Sequence, residues 1–187
     1  MKNSYILMRH GKTRYQEEGL NKIYPRNSLT SIPLSQNGKE EIKKKAKELK
    51  EKIDIIYSSD FLRTRQTAQL MAKELNVEVK LKKEFRDIDL GSFHGKNKRE
   101  FKERFSFLKD FSVAPEGGES YEDLERRALR GVLEIEKNHQ GENILIISHG
   151  DTLLFLEKII KGLKKEEVKE IKETGKGFLP GEIRKLS

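Results

Sequence analysis

The chain has 187 residues, 34% hydrophobic and 37% charged, enough for one domain with a substantial core beneath a densely charged surface. It has no Cys, which excludes a disulfide framework and thiolate metal sites. No apolar run approaches the ~20 residues that span a bilayer, and the run that follows the first residues is too short for a secretion signal, so a cytoplasmic location without membrane partners is the default expectation. The formal charge of +8 is spread through interleaved Lys and Glu, as in residues 39–48, which reads as a solvated helix face and not as a nucleic-acid footprint.

In chain order, Ser4 to Met8 is apolar enough for a buried strand and runs straight into Arg9-His10-Gly11. Residues 19–33, with Pro25, Pro33 and several Asn and Ser, read as a loop. Ser35 is placed as an N-cap, because Ile42, Ala46 and Leu49 repeat at helical spacing behind it. Ile53 to Tyr57 predicts a second strand, ended by Ser58-Ser59-Asp60. The helix after it carries Ala68, Met71, Ala72 and Leu75 on one face, and Val77 to Leu81 predicts a short third strand.

Residues 82–120 are the least regular stretch. They hold Phe85, Phe93, Phe101, Phe105, Phe107 and Phe111, and predict a small helical excursion over one edge of the domain, anchored by aromatics that serve mostly as local core. Tyr121 to His139 is a long amphipathic helix. Asn143 to Ser148 contains an unbroken apolar run, as a strand buried on both faces requires. Thr152 to Ile160 is helical, and residues 162–187, rich in Lys and Gly, offer only an edge strand.

This alternation predicts an α/β fold: a three-layer sandwich with a mainly parallel sheet and helices on both faces, in one domain spanning 1–187. Ligands in such sheets bind outside the carboxyl ends of the strands. Two strands here end in a histidine beside a glycine, His10-Gly11 and His149-Gly150, and Arg63 closely follows a third strand end. Three separate segments thus deliver His, His and Arg to one rim. A zinc pair is the competing reading of two histidines, but these segments lack carboxylates at ligand spacing and the arginines would go unexplained.

Arg9-His10-Gly11-Lys12-Thr13, Pro33-Leu34-Ser35 with Gly38, residues 57–68 (Tyr57 to Ala68), Gly91-Ser92-Phe93-His94-Gly95, Gly118-Glu119-Ser120 and Ser148-His149-Gly150 together resemble, in order, the motifs of the histidine phosphatase superfamily, also called phosphoglycerate mutase-like. The resemblance implies that His10 attacks phosphorus to form a phosphohistidine, that Arg9 and Arg63 bind the phosphoryl oxygens, and that His149 adds a contact. Gln16 stands where many relatives place an Asn near the phosphate, and backbone N–H groups near Gly150 would add donors at a helix start. The family's general acid is usually a Glu. The matching position is Asp87, with Glu84 and Asp89 as alternatives. Phe93-His94 replaces a common Trp-Glu pair, and His94 faces either substrate or solvent. The implied activity is metal-independent, cofactor-free hydrolysis of small phosphorylated metabolites. The alternative is a cofactor-dependent phosphoglycerate mutase, against which stands the short span between Asp87 and Gly118. A binding module that has lost its chemistry would not keep both histidines and both arginines. Neither the alcohol portion of the substrate nor the oligomeric state follows from the sequence.

Overall fold

The computed structural model describes residues 1–104 and 110–186. Its sheet contains β1 (Ser4–Arg9), β2 (Ile55–Ser58), β3 (Glu78–Leu81), β4 (Asn143–Ser148) and β5 (Ile183–Leu186), in the order β3-β2-β4-β1-β5. The first four strands are mutually parallel and β5 runs antiparallel to β1. The helices are α1 (Arg14–Glu17), α2 (Ser28–Ser31), α3 (Gln36–Glu48), α4 (Leu62–Leu75), α5 (Lys98–Arg104), α6 (Tyr121–Asn138), α7 (Gly150–Lys161) and α8 (Lys165–Glu173).

The two-residue period of the strands builds the layers. Tyr5, Leu7, Ile55, Tyr57, Ile144 and Ile146 point to one face and pack with Ala128, Val132 and Ile135 of α6 and Leu153 and Leu156 of α7. Ile6, Met8, Ile56, Leu145 and Ile147 point to the other face and meet Ile42 and Ala46 of α3 and Ala68 and Met71 of α4. Both faces are covered, so the fold is the expected three-layer α/β sandwich. A third apolar cluster of Ile88, Phe111, Tyr121, Leu124, Leu154, Phe155 and Val168 ties the irregular segment to α6, α7 and α8. Among the described residues no helix is long and apolar enough to cross a membrane.

The departures from expectation have local causes. Ser35 caps α3 as predicted, its Oγ accepting from the Gly38 N–H at 3.0 Å. In the loop at 19–33, Ser28–Ser31 closes one helical turn. Within 82–120, the 3₁₀ turns Lys83–Phe85 and Gly91–Phe93 and helix α5 form the excursion. Phe85, Phe93 and Phe111 are core there, whereas Phe101 lines a cleft, and Phe105 and Phe107 lie outside the described residues. Helix α8 escapes the sequence reading because its apolar residues are only Val168, which is buried, and Ile171, which packs partly buried against the third cluster, among lysines and glutamates.

Candidate active site

The register of the central strands decides what meets at their carboxyl ends. Met8 pairs with Ile147, Ile147 with Ser58, and Arg9 with Ser148. The chain leaves the sheet at neighbouring points, with His10 N–H donating to Ser148 O at 3.0 Å and Ser59 N–H to Ile147 O at 3.0 Å. His149 is the N-cap of α7, and Arg63 lies in the first turn of α4. The rings of His10 and His149 therefore sit edge to face with centroids 5.4 Å apart.

His10 is 1% exposed, and its Nδ1 lies 2.8 Å from the Gly11 carbonyl. A carbonyl only accepts, so Nδ1 carries the proton and Nε2 keeps its lone pair. Burial, reinforced by the charges of Arg63 and Arg9, holds the His10 pKa well below the usual imidazole range. His149 is the complementary tautomer. A guanidinium cannot accept, so Arg63 Nη2 donates to His149 Nδ1 at 3.1 Å, and His149 Nε2 donates to Ser59 Oγ at 2.9 Å. Burial and then Arg63, His10 and Arg9 also keep its pKa well below the usual value.

Arg63 is fully buried, its guanidinium held between the rings of Tyr24 and Phe61 at 4.3 and 4.6 Å. It donates to Asp87 Oδ2 at 3.2 Å and to Ser28 O at 3.4 Å. Arg9 Nη1 donates to Phe178 O at 2.6 Å, and its guanidinium lies against Gly150, where an added Cβ would stand 3.5 Å from Cζ. Among the described residues, the only buried side-chain nitrogens or oxygens without a protein partner are Nε of Arg9 and Nε of Arg63. Buried donors left unpaired are costly, and two guanidinium donors of this kind at one strand rim suit an anion.

Asp87 stands where both the arginine and the second imidazole are in reach, its Oδ2 3.2 Å from Arg63 Nη2 and 3.6 Å from His149 Nδ1. Its exposure is into the cleft, and burial raises its carboxyl pKa although Arg63 and Arg9 pull the other way. Of the alternatives, Asp89 accepts from Gly91 N–H at 2.8 Å and from His94 Nε2 at 2.9 Å. Burial works upward on Asp89 too, but those two bonds win and lower its pKa. Glu84 is absent from the cleft lining. His94 faces the cleft, its Nδ1 donating to Tyr24 O at 2.9 Å.

Gln16 also lines the cleft, but its Oε1 accepts from Thr13 N–H at 2.9 Å and Thr13 Oγ1 at 2.7 Å, and its Nε2 donates to Tyr24 Oη at 2.8 Å. The amide thus closes the capping box of α1. Tyr24, which touches both Arg63 and Gln16, is a residue of the cleft that sequence reasoning missed. An aromatic in an irregular loop carries no signal of where the loop returns.

These groups border a cleft of about 670 Å³. Arg9, Gln16, Arg63, Asp87 and Gly150 line it together with Lys22, Arg26, Lys98 and Lys102, while His10 and His149 lie just beneath the lining. Desolvation, and secondarily repulsion from Arg9 and Lys102, lowers the Lys98 pKa. Among the described residues no group of three or more His, Asp or Glu is placed to hold a metal ion.

The chain is 31% identical over 153 residues to phosphoserine phosphatase 1 of Hydrogenobacter thermophilus, covering 77% of this chain and 69% of that protein. It is 25% identical over 182 residues to a 2,3-bisphosphoglycerate-dependent phosphoglycerate mutase of Bartonella bacilliformis, covering 90% and 86%. It spans 66% of phosphoglycerate mutase-like protein 4 and 64% of the metal-independent phosphoserine phosphatase, both of Arabidopsis thaliana. The fold is similar to mycobacterial glucosyl-3-phosphoglycerate phosphatase, with a TM-score of 0.82 at 21% identity over 96% of this chain and 87% of that one. It is also similar to phosphoserine phosphatase from Entamoeba histolytica, with a TM-score of 0.74 at 25% identity over 90% and 84%. The family model of the histidine phosphatase superfamily (branch 1) matches residues 5–175, from the first strand through α8, and the chain belongs to that superfamily.

Proposed function

We propose that this protein is a cytoplasmic, metal-independent phosphomonoesterase that hydrolyses small phosphorylated metabolites through a phosphohistidine on His10. The observation that carries the reading is a neutral His10, its Nδ1 tied to Gly11 O, beside two arginines whose buried Nε–H groups have no partner among the described residues. In the first step His10 Nε2 attacks phosphorus, the P–O ester bond breaks, and Asp87 gives its proton to the departing alkoxide. In the second, Asp87 takes a proton from water, the hydroxide oxygen attacks phosphorus, and the P–N bond breaks to release phosphate and restore the lone pair.

The charge spread over the phosphoryl oxygens is met by Arg9, Arg63 and the N–H groups that open α7 at Gly150. A bound dianion also favours the imidazolium form of His149, which converts Nδ1 from an acceptor of Arg63 into a donor toward phosphate. The same dianion raises the Asp87 pKa further, which favours the protonated form the acid step requires. Gln16 acts on this site by fixing Tyr24 beneath Arg63.

The substrate we infer bears a second negative group. Lys22, Arg26, Lys98 and Lys102 line the cleft, and none of them forms an ion pair among the described residues. The relatives named for phosphoserine and phosphoglycerate act on esters of that description.

The test is a phosphate-release screen over phosphoserine, phosphoglycerates and uncharged alkyl phosphates, with rapid alkaline quench of reactions on a substrate radiolabelled in its phosphate. Label should appear on the chain in an acid-labile, base-stable form, His10→Ala should lose it together with ~10³-fold or more of the turnover, and a chelator should leave the rate unchanged. Isomerisation of phosphoglycerate that needs priming by a bisphosphate, with little phosphate released, would replace hydrolysis with the mutase reading.

A further inference from the structure

The Gly118-Glu119-Ser120 motif touches neither phosphate-binding arginine nor either catalytic-site imidazole, yet it is stitched to the segment that bears Asp87. Glu119 N–H donates to Asp89 O at 2.8 Å, and Asp89 N–H donates back to Glu119 Oε2 at 3.0 Å. Gly118 permits this approach, since a Cβ there would fall 2.5 Å from Asp89 O and 2.8 Å from Gly91 N.

The Glu119 carboxylate is gripped in fork geometry by Arg127 of α6, with Nε to Oε1 at 2.6 Å and Nη2 to Oε2 at 2.9 Å. The remaining donors of that guanidinium are all directed at one stretch of backbone. Nη1 donates to Glu84 O at 2.7 Å and to Arg86 O at 2.9 Å, and Nη2 donates to Asp87 O at 3.0 Å. Thr152 Oγ1 adds a bond to Arg86 O at 2.8 Å. The Arg127 side chain is 12% exposed and lies outside the cleft lining.

A structural arginine needs one good partner. This one spends its whole fork on the carbonyls leading into Asp87 and on the carboxylate that holds the residues after it. We propose that Arg127, clamped by Glu119, is the positioning residue for the Asp87 carboxyl and sets its distance from the leaving oxygen. The inference rests on the acid role of Asp87 proposed above. It adds that the acid is placed from outside the cleft, through its own main chain, by a pair that never meets substrate. The physical reason is that Asp has only one methylene between carboxyl and backbone. A Glu could compensate for a displaced main chain by changing rotamer, whereas an Asp acid follows its backbone almost rigidly.

The experiment compares kcat/KM for an alkyl phosphate, whose alkoxide needs a proton, with p-nitrophenyl phosphate, whose phenolate leaves without one. Arg127→Gln should lower the alkyl value by about 10-fold or more, because a ~1 Å misplacement of a reacting group costs on the order of 10²-fold. The p-nitrophenyl value should barely move, and the basic limb of the alkyl pH profile should flatten. Adding Arg127→Gln to Asp87→Asn should cost nothing more on the alkyl substrate, since residues acting as one unit are not additive. Arg127→Lys, which keeps the charge and loses the fork, carries the same comparison if Arg127→Gln does not fold, and should fall between wild type and Asp87→Asn. Equal losses on both substrates, or a further loss on top of Asp87→Asn, would overturn the positioning role. If Asp87→Asn itself fails to discriminate between the two leaving groups, the acid assignment falls first. If Asp87→Asn discriminates and neither Arg127 variant does, only the inference about Arg127 falls.

Discussion

His10 and His149 are two imidazoles that the fold keeps neutral, chiefly by burial and secondarily by Arg63. In the unfolded chain each titrates near ~6.5. Below that pH the unfolded state takes up protons that the folded state refuses, so stability falls as pH drops through ~6.5 and keeps falling toward the lowered folded values. The slope approaches ~1.4 kcal/mol per pH unit for each imidazole. Asp87 has the opposite linkage, because its raised carboxyl pKa costs stability as pH rises from ~3.9 toward the folded value, and where the windows overlap one carboxyl offsets part of the slope of two imidazoles. Thermal melting followed from about pH 8 to about pH 5 should show Tm falling on the acid side, with His10→Gln making the fall shallower. A Tm that stays flat over that range contradicts two buried neutral histidines. At this scale the sequence was informative wherever a residue sits at a strand end: Arg9, His10 and His149 are placed by register, and Arg63 by the short turn into α4. Tyr24 and Arg127 were not legible as contributors, since the value of each depends on where a loop or helix packs after folding.

Among the α-helices, α3 makes the closest glycine contact. Its first turn lies on the backbone that follows His10-Gly11: Ser35 N–H donates to Lys12 O at 3.0 Å, and a Cβ on Gly38 would sit 2.2 Å from that same oxygen. Main chain cannot yield as a flexible side chain does. Gly38→Ala should therefore cost ~1–3 kcal/mol in urea unfolding, the range of overpacked cores, and should lower kcat/KM by displacing the strand end that carries His10. Gly177→Ala is the control, because nothing lies within 4 Å of its added Cβ, and it should stay within ~0.5 kcal/mol of wild type. An unchanged midpoint for Gly38→Ala would remove the close-approach argument. The Ser35 cap and the apolar spacing behind it made α3 readable in advance. Helix α8 offers only two apolar positions at helical spacing, Val168 and Ile171, and the turn after it supports the site through backbone: Phe178 O receives Arg9 Nη1, and Gly181 N–H donates to His10 O at 2.9 Å. Main-chain carbonyls and amides carry no residue-specific pattern, so this support for the site could not be read from side-chain identity.

Across the molecule, the +8 charge was legible in the composition, but its uneven placement was not. Some surface lysines pair with nearby glutamates, as in Lys43–Glu40 and Lys96–Glu100, and what sets Lys22, Arg26, Lys98 and Lys102 apart is that they border one cleft together without an ion pair among the described residues. Unpaired cations facing a low-dielectric concavity concentrate their field there, and that field raises the encounter rate of anionic esters. Salt weakens the effect, since the screening length is ~10 Å at 0.1 M and ~3 Å at 1 M. An ester with a carboxylate besides its phosphate feels both the phosphate pocket and these outer cations, while an uncharged alkyl phosphate feels chiefly the former. Raising ionic strength should therefore lower kcat/KM more for phosphoserine or phosphoglycerate than for the alkyl phosphate. Lys98→Ala combined with Lys102→Ala should raise KM for the carboxylate-bearing ester, leave kcat nearly unchanged, and bring the two salt dependences together. Parallel salt curves for both substrates in the unsubstituted protein would show that the outer cations do not select a second anion, and that the phosphoryl group alone is what the positive field attracts.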